Sequence, residues 1–323
     1  DEVRALAERG VAAAANRGTV RQRDLRSGFV DHVFGIVDAG RFRPIAVAVD
    51  GGNGMAGVVV PQVFDRLPVR LHGLYLDPDG TFPNHPADPL RPENLQDLLA
   101  LMKDSGADVG VAFDGDADRA FFVDDRLHPL PGSTTTAIIA RWFLEREPGA
   151  GIVHNLICSR AVPETIRAAG GTPIRTRVGH SFIKGVMKET GAVFGGEHSG
   201  HYYFRDNYRA DSGILAMLIL LQVLSEDGRP LSVVRRDYEP YAASGEINLP
   251  VVDRAAGMAQ VEAAFAAQAA IDRLDGLTVE WPDRWFNLRP SNTEPLLRLN
   301  AEAPDASAVD DLVGAVRRAL EGL

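Results

Sequence analysis

The sequence predicts an α/β protein: two successive α/β units with mixed sheets, then a smaller C-terminal α+β unit. Three observations carry that expectation. Between about 25 and 237, apolar runs of strand length alternate with helical stretches, as in repeated βαβ units. After Tyr238-Glu239-Pro240-Tyr241 the order changes to strands bracketed by two helices. The polar loops richest in chemistry follow directly on apolar runs, where open α/β sheets place their ligands.

From the start of the chain, Val3, Leu6, Ala7 and Val11 make a helical stripe with no apolar partner before it. A helix that short is marginal alone, so the chain reads as the continuation of something longer. A helix is expected over 25–39, with Phe29, Val33, Phe34 and Val37 on one side. The strand at 44–50 runs into Gly51-Gly52-Asn53-Gly54-Met55-Ala56-Gly57, a turn that permits close backbone approach. Its spacing fits neither a dinucleotide fingerprint nor a Walker motif. A helix over 58–64 and a strand over 71–76 lead to a proline-rich loop at 77–92, whose length points to a functional or interdomain role. A helix at 95–105 then precedes two short strands around 109–112 and 120–123. The second unit reads as helix 134–143, strand 151–157, helix 161–169, strand 172–177, helix 181–190, the aromatic run Tyr202-Tyr203-Phe204 and an apolar helix at 213–224. The last has a strand near 246–248, a helix at 254–269, strands at 277–281, 284–288 and 296–301, and a closing helix at 307–320. The resulting units are 21–132, 133–237 and 238–323.

Composition narrows the classes. A net charge of −10, with no basic run interleaved with aromatics, argues against a nucleic-acid surface. The single cysteine, Cys158, excludes an intrachain disulfide framework and a multi-cysteine zinc site; its apolar setting makes it a core residue. No apolar run reaches membrane-spanning length without a charge and no signal peptide opens the chain, so no membrane contact is expected and the cytoplasm is the default location.

Four loops carry chemistry. In Phe113-Asp114-Gly115-Asp116-Ala117-Asp118-Arg119, three carboxylates alternate between two strands. Like charges held together repel unless a cation intervenes, and hard oxygen ligands suit magnesium or manganese. Calcium in a surface loop and a solvated acidic turn are the competing explanations. Arg119 offers a fork for a phosphate or a carboxylate. Around Arg289-Pro290-Ser291-Asn292-Thr293-Glu294-Pro295, a guanidinium, two hydroxyls and an amide suit a phosphate monoester, with Arg298 in support; a structural turn is the alternative. Gly196-Glu197-His198-Ser199-Gly200-His201 has the donors and acceptors that hold hydroxyl-rich ligands. A zinc site on His198 and His201 lacks a third ligand by spacing. Gly179-His180-Ser181 opens a helix that places Lys184 one turn on, and either His180 or Lys184 suits phosphate contact or proton transfer; a capped helix with a surface lysine explains the pattern equally well. A metal, a phosphate clamp and a hydroxyl-reading loop around one central cleft point to phosphoryl transfer on a sugar phosphate.

These stretches, in this order, resemble the α-D-phosphohexomutase superfamily and within it the bacterial phosphomannomutase/phosphoglucomutase group. The resemblance implies Mg²⁺ on Asp114, Asp116 and Asp118; sugar contacts from Glu197 and Ser199; the non-transferring phosphate on Arg289, Ser291, Asn292 and Thr293; and Arg119, His180 and Lys184 near the reacting groups. It implies interconversion of hexose 6- and 1-phosphates through a bisphosphorylated sugar, with glucose or mannose 1,6-bisphosphate as intermediate and activator, in a monomer or weak dimer. His198 fits this group better than the glucosamine-phosphate group, whose loop typically looks like Gly-Glu-Gln-Ser. Mannose is the expected substrate and glucose the alternative. Two departures stand out. The family's phosphorylated serine, in a Ser-His-Asn-Pro type setting, has no counterpart: Ser27, Ser105, Ser133 and Ser159 lack it. Residues 1–20 then look like the remnant of a catalytic-serine domain, and this polypeptide alone is expected to bind hexose phosphate but turn over negligibly. Ile157 stands where similar enzymes carry a lysine, a role left to Lys184 or to the absent domain.

Overall fold

The computed structural model describes residues 2–291 and 294–321. Helix α1 (Glu2–Arg9) buries no residue, and residues 10–24 add no regular element. Helix α2 (Arg26–Val33) is shorter than the expected 25–39, because the chain turns at Gly35.

The first sheet has the order β2-β1-β3-β4. Strands β1 (Ala46–Asp50), β2 (Arg70–Leu74) and β3 (Val109–Phe113) run parallel, and β4 (Ala120–Val123) returns antiparallel to β3. Residue parity separates its faces. Val47, Val49 and Val111 pack with α2 and α3 (Ala56–Phe64), whereas Ala48 and Ala112 pack under α4 (Gln96–Ser105).

The second sheet repeats this plan as β6-β5-β7-β8. Strands β5 (Gly151–Asn155), β6 (Thr172–Thr176) and β7 (Phe194–Gly196) are parallel, and β8 (Tyr202–Phe204) is antiparallel. Helices α5 (Gly132–Arg146), α6 (Ala161–Ala168) and α8 (Gly213–Asp227) cover one face, and α7 (His180–Thr190) the other. Helix α8 is apolar nearly all round, and Ile214 to Leu221 are buried, as a helix enclosed on all sides requires. A short helix, α9 (Leu231–Val234), follows it. One continuous apolar core runs through both units, from Val30 to Val234.

The C-terminal unit is an antiparallel sheet of order β10-β11-β12-β13-β9, formed by β9 (Ala242–Pro250), β10 (Ala270–Asp272), β11 (Leu277–Glu280), β12 (Trp285–Pro290) and β13 (Leu296–Ala303). Strand β10 follows a helix that stops short of the expected 269: α10 covers Arg254–Phe265. Phe286, Leu288, Leu297, Leu299 and Ala301 pack under α10 and α11 (Ala306–Ala319) in a second, separate core. The alternate residues Asn287, Arg289, Arg298, Asn300 and Glu302 occupy the opposite face. Polar contacts join that face to the second unit: Arg160 donates to the Pro282 and Trp281 carbonyls at 2.7 and 2.8 Å, and its backbone N–H to Glu302 at 3.0 Å. Among the described residues no helix is long and apolar enough to cross a membrane.

Candidate functional site

The acidic loop joins β3 to β4. Asp114 is buried beside the end of β3, Asp118 is half-buried and Asp116 exposed, and their carboxylate oxygens lie within 4.8 Å of one another. Burial, then the charges of Asp114 and Asp116, push the Asp118 carboxyl up to about 7. Oxygen-only donors converging at this charge density fit a hard divalent cation, so Asp114, Asp116 and Asp118 are the residues that would hold magnesium. Arg119 is already engaged: its Nε donates to Asp114 Oδ2 at 2.6 Å and its backbone N–H to Oδ1 at 3.1 Å. The loop is fastened on two sides. Ala117, at φ 62°, accepts from the Gly213 N–H at the head of α8, and Gly115 accepts from the Met55 N–H at 2.9 Å.

The loop 197–201 joins β7 to β8, the same topological corner of the second sheet. The two corners meet: Arg119 bridges His201, and the Ala120 N–H reaches the Gly200 carbonyl at 3.3 Å. Glu197, 2% exposed, accepts at Oε1 from Asn155 Nδ2 (3.2 Å) and the Gly179 N–H (3.1 Å), and at Oε2 from the Tyr203 hydroxyl (2.8 Å). It thus ties the end of β5, the start of α7 and β8 to one carboxylate. Ser199 Oγ lies 3.2 Å from His201 Nδ1, and His201 Nε2 lies 3.6 Å from Asp118. Burial lowers the His201 pKa against the opposing pull of Glu197. His198 turns away to Ser133 Oγ at 3.1 Å, so among the described residues the two histidines share no metal group. His180 is exposed at the head of α7, its ring 6.4 Å from that of His201. Lys184 Nζ pairs with Asp211 at 2.8 Å. Ile157 is buried, and Cys158 is buried with its thiol pushed up to about 12 by burial and then Glu197.

Arg289 on β12 stands directly opposite Arg298 on β13. Like charges so paired repel. Glu246 of β9 lies between them, 3.6 Å from Arg289 and 3.4 Å from Arg298. Burial lowers the Arg289 pKa, Arg298 adding to the effect. Both Nε atoms are buried without a partner among the described residues. Asp275 and then Glu246 act against that lowering, and the two unpartnered Nε groups leave donors suited to an anion. Ser291 is buried in the following turn, its Oγ accepting from the Glu294 N–H at 3.3 Å. Asn292 and Thr293 lie outside the described residues. Burial lowers the His198 pKa; Glu246 opposes that shift and Arg289 adds to it.

The structure therefore brings the acidic loop, the Glu197 loop and the head of α7 together, with Arg289 electrostatically adjacent. Sequence reasoning missed Asn155, Tyr203, Asp211 and Glu246 as the partners that hold Glu197, Lys184 and the arginine pair. The expected strand ran on to 157, so no local signal marked Asn155, which closes β5 in the structure.

Family models described as phosphoglucomutase/phosphomannomutase alpha/beta/alpha domain II, alpha/beta/alpha domain III and C-terminal domain match residues 27–127, 131–241 and 246–319. The phosphomannomutase of Salmonella montevideo is 40% identical over 312 residues, covering 94% of this chain and 68% of the relative. A phosphoglucomutase of Neisseria gonorrhoeae is 36% identical over 328 residues, covering 99% and 70%. The crystal structure of a phosphoglucomutase/phosphomannomutase family protein from Burkholderia thailandensis superposes with a TM-score of 0.85 at 34% identity, covering 93% of this chain and 65% of that one. The chain spans about two thirds of the length of these relatives.

Proposed function

The chain belongs to the phosphoglucomutase/phosphomannomutase family, and we propose that it serves the interconversion of mannose 6-phosphate and mannose 1-phosphate through mannose 1,6-bisphosphate. The observation that supports this proposal is the meeting of the β3–β4 and β7–β8 corners at Arg119 and His201, which puts the three-aspartate loop beside the loop of Glu197 and Ser199. Asp114, Asp116 and Asp118 would hold magnesium, which when bound would supply positive charge to stabilise a phosphoryl group. Arg119, anchored through Nε, directs its remaining amino groups to that phosphoryl. Ser199 and Glu197 face the sugar, Glu197 chiefly by shaping the floor that Tyr203 and Gly179 complete. His180 takes the proton of the attacking hydroxyl, and Lys184 exchanges Asp211 for a phosphate oxygen. Arg289, Arg298 and the 291–293 turn clamp the phosphate that is not transferring, fixing the sugar's orientation.

In each transfer, the bond from phosphorus to one oxygen breaks as a bond to another oxygen forms. A carrier serine in the family's setting does not occur in the sequence. The proposal thus has two parts: this chain binds the sugar phosphate, and turnover requires a phosphoserine supplied in addition. Both are tested by following mannose 1-phosphate by ³¹P NMR with the chain, Mg²⁺ and the bisphosphate. Binding without isomer formation is the expected result. Isomer made by the chain alone overturns the second part, and absence of binding overturns the first. Release of inorganic phosphate without isomer would assign the acceptor as water. The phosphoglucomutase name of the Neisseria relative, which matches 99% of this chain, supports a second reading, glucose phosphates, read in the same assay.

A further inference from the structure

The acidic loop rests on the glycine turn after β1. A Cβ on Gly54 would meet the Gly115 carbonyl oxygen at 2.6 Å, so backbone packs on backbone with no side chain to adjust. The turn is in its own right held by the proline-rich loop at 77–92, for which the proposed chemistry has no use. Asn53, at φ 55°, is the knot. Its N–H donates to the Tyr75 carbonyl at 2.8 Å and its carbonyl accepts from the Asp79 N–H at 2.9 Å. Its Nδ2 donates to the Asp77 carbonyl at 2.9 Å, and its Oδ1 accepts from Asn84 Nδ2 at 2.8 Å.

Beside it, Asp50 ends β1 at 1% exposure, accepting from the Gly52 N–H at 2.8 Å and facing His85 Nε2 at 3.0 Å. His85 Nδ1 lies 2.9 Å from the Pro86 carbonyl, which only accepts, so Nδ1 carries a hydrogen. In a neutral ring Nε2 would then aim a lone pair at a carboxylate oxygen. The contact is attractive only when one proton lies between Nε2 and Asp50 Oδ2. The pair is thereby neutral overall, which is how a carboxylate this buried is tolerated. Burial raises the Asp50 pKa, and the Gly52 N–H and His85 oppose it. The same loop closes over the acidic loop itself: Phe82 Cζ lies 3.5 Å from the place a Cβ on Gly115 would occupy.

We propose that His85 and Asn84 are positioning residues for the cation loop: through Asp50 and Asn53 they clamp the glycine turn against Gly115 and so fix the spacing of Asp114, Asp116 and Asp118. The inference rests on the magnesium assignment of those three aspartates. It gives the 77–92 loop a task inside its own unit, as a brace two contacts removed from the ion.

The test is Mn²⁺ titration of the whole 323-residue chain, free Mn²⁺ being read by electron paramagnetic resonance. His85→Ala and Asn84→Ala are expected to weaken Mn²⁺ binding about tenfold, the lower end for partners behind the ligands. His85→Gln, whose amide can donate to Asp50, is expected to retain affinity within about threefold of wild type by the same comparison. Far-UV circular dichroism confirms that each variant is folded. If His85→Ala unfolds with its buried carboxylate unpaired, Asn84→Ala and His85→Gln carry the test. Wild-type affinity in Asn84→Ala, or in a folded His85→Ala, overturns the clamp. No Mn²⁺ binding by the unmodified chain overturns the metal assignment first and the clamp with it; only the former failure spares wild-type binding.

Discussion

Replacing Glu197 by alanine and, in parallel, by glutamine separates its two roles, anchor and ligand contact. The carboxylate accepts three hydrogen bonds from groups on three different elements: Asn155 at the end of β5, Gly179 at the head of α7 and Tyr203 on β8. At 2% exposure no solvent replaces it. Hydrogen bonds to a buried charge contribute about 1.5–3 kcal/mol each. The Asn155 and Gly179 contacts, at 3.2 and 3.1 Å, belong at the low end of that range and the Tyr203 contact, at 2.8 Å, higher. Glu197→Ala is therefore expected to cost roughly 4–6 kcal/mol, a large part of the stability of an ordinary domain. Glu197→Gln keeps an acceptor for Asn155 and Gly179 and turns its amide to the Tyr203 oxygen, so the expected cost falls to about 1–2 kcal/mol. Urea unfolding followed by far-UV circular dichroism measures both, and amide exchange at Gly179 reports the head of α7. If Glu197→Ala unfolds within about 1 kcal/mol of wild type, the three contacts do not hold the floor together and the magnitude argued from them fails. Loss of sugar-phosphate binding in the alanine variant would be uninformative by itself; the glutamine variant isolates the ligand contact.

Three other outcomes follow from the geometry. Arg289→Ala removes one of two guanidiniums from the clamp and is expected to weaken mannose 6-phosphate binding about 10- to 100-fold by calorimetry, the equivalent of one charge-assisted contact; an unchanged affinity would place the phosphate elsewhere. Gly54→Ala forces a methyl to 2.6 Å from the Gly115 oxygen, with an expected loss of about 1–3 kcal/mol by thermal unfolding and weaker Mn²⁺ binding; equal melting would mean the turn yields freely. Asp124 is buried, which alone would raise its pKa, but the His128 N–H, Arg235 and the Arg126 N–H hold it below the ordinary carboxylate range. Its folded pKa lies under the unfolded value of about 3.9, so its stabilisation is complete above that pH and is lost as pH falls through the lowered folded value. Arg235→Ala should therefore move acid unfolding to higher pH, and an unmoved acid midpoint counts against the pairing.

Much of this was legible from residue order. Strand and helix identities follow from apolar periodicity, but the expected strand stopped at 288 and left Arg289 in the loop, whereas β12 continues to Pro290 and sets Arg289 opposite Arg298. The acidic loop was legible because three carboxylates in five residues need an external reason to coexist. What local sequence does not carry is partnership across distance. Lys184 is matched by Asp211, Glu197 by Tyr203, and the arginine pair by Glu246, and each match depends on which strands become neighbours. The short β10 was hidden because Ala266 to Ala269 have helical composition, whereas pairing with β11 decides the conformation from Ala270 onward. The 77–92 loop announced itself by length, but the roles of Asn84 and His85 appear only once β1 and the loop are side by side.

The division of the apolar core has a mechanical consequence. The first two sheets share one core, so rotating them against each other would expose valines, leucines and phenylalanines to water. The C-terminal sheet keeps its own core and meets its neighbour through guanidiniums, carboxylates and carbonyls. Such contacts can be exchanged for water at small cost. Less apolar area therefore resists displacement at the seam crossed by Arg160: the acidic loop and Glu197 stand on the shared core, and Arg289 and Arg298 on the unit that keeps its own.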